Sequence, residues 1–271
     1  MAMHVESLGR GRDIILLHGW GLHGGVWREL AARLAASFRV LLPDLPGHGR
    51  SRAANGDFTL EDIVTELQGY VTAPAVWVGW SLGALVALTA AQRFPQRVSR
   101  LVLIGATPRF AQAPDWPCAM PPQTLAQFAR DLEGDYRGTL LRFLSLQNGA
   151  GAAGQDAVRT LRALLAQHGE PDPAALRAGL RLLAQTDLRA VLPDIRPPAL
   201  VLHGAYDRLA PPAAAKFLAE RLPMAQLALI PSAGHAPFLS HADATWSALN
   251  EFLHDSRDGG GRATPGAVAD V

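Results

Sequence analysis

The apolar residues of this chain gather in short runs that do not alternate with polar ones: "DIILLHG" (13–19), "RVLLPD" (39–44), "AVWVGW" (75–80), "RLVLIGA" (100–106), "ALVLHGA" (199–205) and "QLALIP" (226–231). Rich in Val, Ile and Leu and bounded by turn residues, they read as strands buried on both faces. Between several of them the apolar period lengthens to that of a helix, in "GVWRELAARLAASF" (25–38), "TLEDIVTELQGYV" (59–71) and "SLGALVALTAAQRFP" (81–95). Strands alternating with helices predict βαβ units, and so an α/β fold with a mostly parallel, twisted sheet flanked by helices.

The alternation stops between about Thr107 and Leu192, where only helix-like segments occur, among them "PPQTLAQFARDLEGDYRGTLLRFLSLQ" and "QDAVRTLRALLAQHG", broken by "NGAGAAG" and "GEPDP". Strands resume at Ala199, so residues 108–190 are expected to form a helical cap inserted before the last strands of a core made of residues 1–107 and 191–255. Residues 256–271 lack apolar periodicity and are expected to be disordered.

Composition adds limits. The 271 residues are 49% hydrophobic and 18% charged, a globular balance with enough chain for a sizeable core. The formal net charge of +1 gives no bulk attraction to nucleic acid or membrane, so a charged partner must be met by a local patch. Lys216 is the only lysine among 25 basic residues, a compositional bias rather than a phosphate site. Cys118 is the only cysteine, so no intrachain disulfide forms. The opening residues lack a signal-peptide pattern and no uncharged apolar run reaches membrane-spanning length; a soluble, cytoplasmic monomer is expected.

The chemistry starts at "VWVGWSLGALVAL" (76–88), where Gly79 and Gly83 bracket Ser81. A strand that must turn sharply into a helix at Ser81 leaves no room for side chains at those two positions, and the turn lifts the hydroxyl beside a helix N-terminus. This reads as a nucleophile elbow. The hydroxyl needs a base and the base an orienting carboxylate. Asp207 in "HGAYDRLAPP" follows the fifth predicted strand and His235 in "PSAGHAPFLSH" the sixth, in the chain order Ser, Asp, His. His241 is the nearest rival base, while Asp187 and Asp194 precede their strand and suit capping or surface roles. The backbone N–H groups of Leu82 and of Trp20 in "HGWGLHG" are the candidate oxyanion donors. His18, Asp44 and His48 are assigned to loop geometry. No metal-ligand cluster or phosphate loop appears, and the chemistry needs no cofactor.

The motifs "LLHGWG", "DLPGHGRS", "GWSLGALVA", "HGAYDRLAP" and "GHAPFLSH" together resemble the α/β-hydrolase superfamily over residues 10–255. More narrowly, Trp20, Trp80, "DWP" (115–117), "RFLSLQ" (142–147) and "HAPFLSH" resemble the carboxylesterases of biotin synthesis, which demethylate pimeloyl-acyl-carrier-protein methyl ester. That resemblance implies an acyl site lined by Trp20, Trp80, Phe128, Phe143 and Leu144. It also implies contacts of cap arginines, Arg137, Arg142, Arg159 and Arg162, with an acidic acyl carrier protein. Residues 109–189 hold nine arginines against eight acids, so the cap has no marked basic excess. The same triad also serves short-chain carboxylesterases, carbon–carbon bond hydrolases and perhydrolases, and a receptor on this scaffold is a reading from another class. Ser81 excludes the aspartate nucleophile of epoxide and haloalkane hydrolysis.

Overall fold

Among the described residues seven strands form one sheet: β1 (Val5–Leu8), β2 (Arg12–Leu17), β3 (Phe38–Pro43), β4 (Ala75–Trp80), β5 (Val98–Ile104), β6 (Ala199–Gly204) and β7 (Ala225–Ile230), in the order β1-β3-β2-β4-β5-β6-β7. The structure, a computed structural model, describes residues 3–52, 58–146, 151–165, 167–168 and 170–255. The expected disorder of 256–271 and the first part of the "NGAGAAG" break (148–150) lie outside the described residues. All neighbouring strands are parallel except β1, which runs antiparallel to β3. Sequence reading missed β1: "VESL" is short and not an apolar run, and its pairing with β3 is what makes it a strand.

The absence of alternation in the other strands has a simple cause. Ala75 and Trp77 of β4 enter one apolar cluster, and Val76, Val78 and Trp80 enter another on the opposite face. The same division holds for Ile15 and Leu17 against Ile14 and Leu16 in β2, and for Val201 against Leu200 and Leu202 in β6. Successive side chains point to opposite faces, and both faces are covered. The helices α2 (Leu60–Gln68), α3 (Leu82–Arg93) and α8 (Pro212–Arg221) supply the first cover; α1 (Arg28–Leu34) and α9 (Ala242–His254) supply the second. Local chemistry sets helix starts: Thr59 Oγ1 accepts from Asp62 N and Asp62 Oδ2 accepts from Thr59 N, a reciprocal cap on α2.

Among the described residues four α-helices lie between β5 and β6: α4 (Pro122–Gly134), α5 (Tyr136–Ser145), α6 (Gly151–Leu165) and α7 (Pro173–Gln185). The long segment read as one helical pattern is two helices, because Asp135 ends α4 and its carboxylate accepts from Gly138 N to cap α5. Gly151–Gly154, read as part of a break, opens α6, whose Val158, Leu161 and Leu164 are buried. Phe128 of α4, Phe143 of α5 and Leu176 of α7 join the cluster containing Leu17 and Trp20, at and just beyond the carboxyl end of β2. The insertion therefore packs over the carboxyl ends of the strands, where open α/β sheets place their sites. No helix among the described residues is long and apolar enough to cross a membrane.

Candidate active site

The sheet order reverses between β2 and β4: the chain passes from β2 outward to β3, then returns to β4 on the other side of β2. Open α/β sheets place their ligand crevice at such a point, where adjoining loops diverge. Ser81 stands immediately after β4 and Trp20 just after β2, so both border this switch point.

Ser81 has φ 57° and ψ −117°, a conformation L-residues rarely adopt. The flanking glycines make it attainable. A Cβ on Gly79 would lie 2.2 Å from the Gly83 carbonyl oxygen, and one on Gly83 would lie 2.3 Å from that of Leu17. Strand, turn and helix are thus in backbone contact, and Ser81 N donates to Ile104 O of β5 (3.1 Å). Leu82 opens α3, so its N–H belongs to the helix turn that has no partner inside the helix.

Asp207 lies in the loop after β6 and His235 in the loop after β7, both buried. Asp207 Oδ1 accepts from Leu209 N (2.9 Å) and Ala210 N (3.0 Å), which turns Oδ2 toward His235 Nδ1 at 2.7 Å. Burial alone would raise the Asp207 carboxyl, but His235, His203 and the backbone donors outweigh it and hold the group below its ordinary value. A carboxylate facing Nδ1 requires the proton there, which leaves Nε2 as a lone-pair base. Ser81 Oγ and His235 Nε2 are both buried and have no hydrogen-bond partner among the described residues. A hydroxyl and an imidazole lone pair are thus both left available.

His235 is also braced through its backbone: Trp80 Nε1–H donates to His235 O at 2.8 Å, and Gly105 (φ +52°) has room for no Cβ, which would sit 2.8 Å from that same oxygen. Sequence reading missed both braces. The rivals are engaged elsewhere. Asp187 accepts from Arg189 and Arg109, which hold it well below the usual carboxylate range, and His241 Nδ1 lies 2.9 Å from Ser240 Oγ.

Comparison with known proteins fits this geometry. The family model for the alpha/beta hydrolase fold matches residues 14–242. The chain belongs to the alpha/beta hydrolase family. The hydrolase is 47% identical over 251 residues to a pimeloyl-[acyl-carrier protein] methyl ester esterase of Xanthomonas oryzae pv. oryzae, covering 93% of this chain and 98% of that protein. A protein of the same name from Stenotrophomonas maltophilia is also 47% identical, with 93% and 96% covered. Among solved structures, a thermophilic esterase from Thermogutta terrifontis superposes with a TM-score of 0.81 at 25% identity, covering 93% of this chain and 92% of that one. An enol-lactonase from Burkholderia xenovorans superposes with a TM-score of 0.83 at 24% identity (93% and 96% covered), a likeness of fold.

The five residues expected to line an acyl site divide between the two faces of the hydrolase. Trp20, Phe128 and Phe143 share one cluster: Trp20 and Phe143 meet edge-on at 4.8 Å between centroids, Phe128 and Phe143 at 5.6 Å. The Trp20 indole N–H donates to Leu176 O of α7 (2.9 Å), so this side chain ties the loop after β2 to the inserted helices. Trp80 and Leu144 belong to the other cluster, where Trp80 packs on Phe238 (5.1 Å) beside Trp27. At its other edge the Trp80 ring lies against Gly19, the neighbour of Trp20, where an added Cβ would sit 3.1 Å from it, and its centroid is 5.8 Å from that of His235.

The loops at 18–25 and 44–51 of the hydrolase are knit by imidazoles. His18 Nδ1–H donates to Gly19 O and Nε2 accepts from Leu45 N (both 2.8 Å); His48 Nδ1–H donates to Pro46 O and Nε2 accepts from Gly21 N (3.2 Å). His23 donates to Leu164 O and accepts from Gly25 N, while buried Asp44 accepts from Gly24 N and from Arg50. Each ring uses one nitrogen as acceptor and so is neutral. Burial pushes all three down, His18 to about 3. The unfolded chain binds protons on these rings near pH 6.5 that the folded chain refuses, so stability falls as pH drops below about 6.5, by up to ~1.4 kcal/mol per pH unit per ring. Urea midpoints at pH 7.5 and 5.5 check this; equal midpoints would contradict it.

Proposed function

We propose that this hydrolase is a serine carboxylesterase that cleaves the methyl ester of pimeloyl-acyl-carrier protein, with Ser81 as nucleophile, His235 as general base and acid, and Asp207 as orienting acid. The observation that carries ester hydrolysis is the buried Asp207–His235 hydrogen bond of 2.7 Å, which leaves Nε2 basic on a loop that Trp80, the residue before the strained Ser81, hydrogen-bonds. The substrate follows from the names of relatives that match nearly the whole chain.

Ser81 Oγ attacks the ester carbonyl carbon while His235 Nε2 takes its proton, and the resulting oxyanion is met by the N–H groups of Trp20 and Leu82. Collapse expels methanol, protonated by His235, and leaves an acyl-serine. Water attacks that ester, giving its proton to His235; the second collapse frees the carboxylate and returns the proton to Ser81. Asp207 stays ionised throughout and stabilises the imidazolium. Methanol release from pimeloyl-acyl-carrier-protein methyl ester by the purified protein, with growth of a biotin-requiring, esterase-deficient strain supplied with this gene, tests the reading. Hydrolysis of small esters alone would favour a generic short-chain esterase on the same triad.

In this reading residues 108–190 are a cap, and Trp20, Phe128 and Phe143 line the acyl path beneath it. Phe143→Ala is expected to raise KM for long-chain methyl esters on the order of tenfold more than for acetyl esters, because each lost apolar contact weakens only chains long enough to reach it. Equal changes for both would assign Phe143 to packing.

The carrier protein belongs to the proposal as well. Arg142 lies on α5 next to the exposed Leu141, Arg159 and Arg162 lie on α6, and Arg162 donates to Oγ of Ser145, the neighbour of exposed Leu146 (2.8 Å). Arg142 pairs with Asp131 at 2.9 Å, Arg159 with Asp156 and Arg137 with Glu170, which tempers the positive face. Reversing Arg159 and Arg162 to Glu is expected to lower kcat/KM for the carrier-linked ester about tenfold at low ionic strength, with the defect shrinking as salt is added and small neutral esters unaffected. A loss equal for both substrates would place the dock elsewhere. Action as a cytoplasmic monomer completes the proposal; the lone Cys118, which can form no intrachain disulfide, supports the compartment.

A further inference from the structure

His203 is the penultimate residue of β6, fully buried, and takes no part in the chemistry above. A buried imidazole must place both nitrogens or leave one unsatisfied. Its Nε2 lies 2.7 Å from Ala210 O, which only accepts, so Nε2 carries the proton. Nδ1 is then a buried lone pair with no partner among the described residues. Packing alone does not explain such a residue, since an aliphatic side chain would fill the space without an unsatisfied nitrogen.

The position of Nε2 does explain it. It also lies 3.3 Å from Asp207 Oδ2, the oxygen that receives His235 Nδ1. Ala210 is held at both ends of its backbone: its carbonyl by His203, its N–H by Asp207 Oδ1. The turn from 203 to 210 is thus cross-braced around the carboxylate. It also bears directly on the loop of the base, for Tyr206 N donates to Ala233 O (2.8 Å), and a Cβ on Gly204 would lie 2.0 Å from Gly234 O. A shift of the acid loop is transmitted to His235 two ways, through the side chain and through the backbone.

We propose that His203 is a positioning residue of the esterase, whose Nε2–H, fixed on Ala210 O and set against Asp207 Oδ2, holds the carboxylate in the orientation that receives His235. The inference rests on the Ser81–His235–Asp207 assignment. The titratable groups facing His203 are Asp207 and His235, and burial holds the His203 ring below its ordinary value, hence neutral. The N–H dipole draws part of the charge of Oδ2 away from His235. Without that dipole the carboxylate is left more fully to His235, so the acid limb of the pH profile moves to higher pH.

The test compares His203→Phe, which fills the space without a donor, His203→Asn, whose amide cannot reach Ala210 O, and His203→Gln, whose amide nitrogen takes the place of Nε2. Turnover of a small neutral ester is measured over pH and normalised to sites labelled by a fluorophosphonate. His203→Phe and His203→Asn are expected to lose on the order of 10–100-fold in kcat with KM unchanged and the acid limb displaced upward, and His203→Gln to recover most of both. If normalised kcat and pH profile are native in whichever of the two donor-less variants folds, or if Gln behaves as they do, the proposal fails. Retained turnover in Ser81→Ala would instead overturn the triad itself, so the two failures are distinguishable.

Discussion

Ser81→Ala is expected to fold as the parent does and to lose on the order of 10⁴-fold or more in kcat. The stability half follows from what the hydroxyl does not do. Ser81 Oγ has no hydrogen-bond partner among the described residues, so alanine removes no stabilising bond and no buried partner is orphaned. The backbone strain at φ 57° is common to both residues. The activity half follows from the mechanism, because only the attacking oxygen is lost while the oxyanion donors and acyl contacts remain. Thermal midpoints, kcat for a short ester and labelling by a fluorophosphonate together check it: an unchanged midpoint, collapsed turnover and no label. Substantial turnover in this variant would require a different nucleophile.

That prediction was open to sequence reading because a parallel sheet brings the carboxyl ends of its strands to one edge, so residues just after β4, β6 and β7 meet although far apart in the chain. Central strands buried on both faces advertise themselves as unbroken apolar runs. Edge elements do not: β1 is a four-residue, half-exposed segment whose identity lies in its partner β3. Helix breaks were equally obscure at Asp135, where the apolar period runs on through a backbone turn. Trp80 is the instructive case. It shares strand parity with Val76 and Val78 and packs with them on one face, while its ring edge reaches Gly19 beside Trp20. Parity was legible in "AVWVGW"; the hydrogen bond to His235 O, 155 residues away, was not. The braces from Gly105 and His203 are of the same kind, visible only once distant loops are in contact.

Asp207→Asn is expected to bind substrate nearly as before and to turn it over on the order of 10⁴-fold more slowly at neutral pH. The geometry dictates how the amide sits. Leu209 N and Ala210 N both donate to Oδ1, so the asparagine oxygen must take that place and its NH₂ must take the place of Oδ2. The NH₂ then faces His235 Nδ1 at the former 2.7 Å, donor against donor, with His203 Nε2–H close by. The imidazole resolves the conflict by moving its proton from Nδ1 to Nε2. In that tautomer the nitrogen nearer the chemistry holds a proton and accepts none from Ser81, and the imidazolium formed during attack has lost its counter-charge. In the proposed reading KM reports ground-state binding by Trp20, Phe143 and their neighbours, which the exchange does not touch, so the defect falls in kcat. Asp194→Asn, placed before β6 in the short 3₁₀ turn of residues 189–194, is the control and should be near native. The reverse outcome, an active Asp207→Asn and a dead Asp194→Asn, would move the acid of the triad to the other side of the strand and withdraw with it the role drawn for His203.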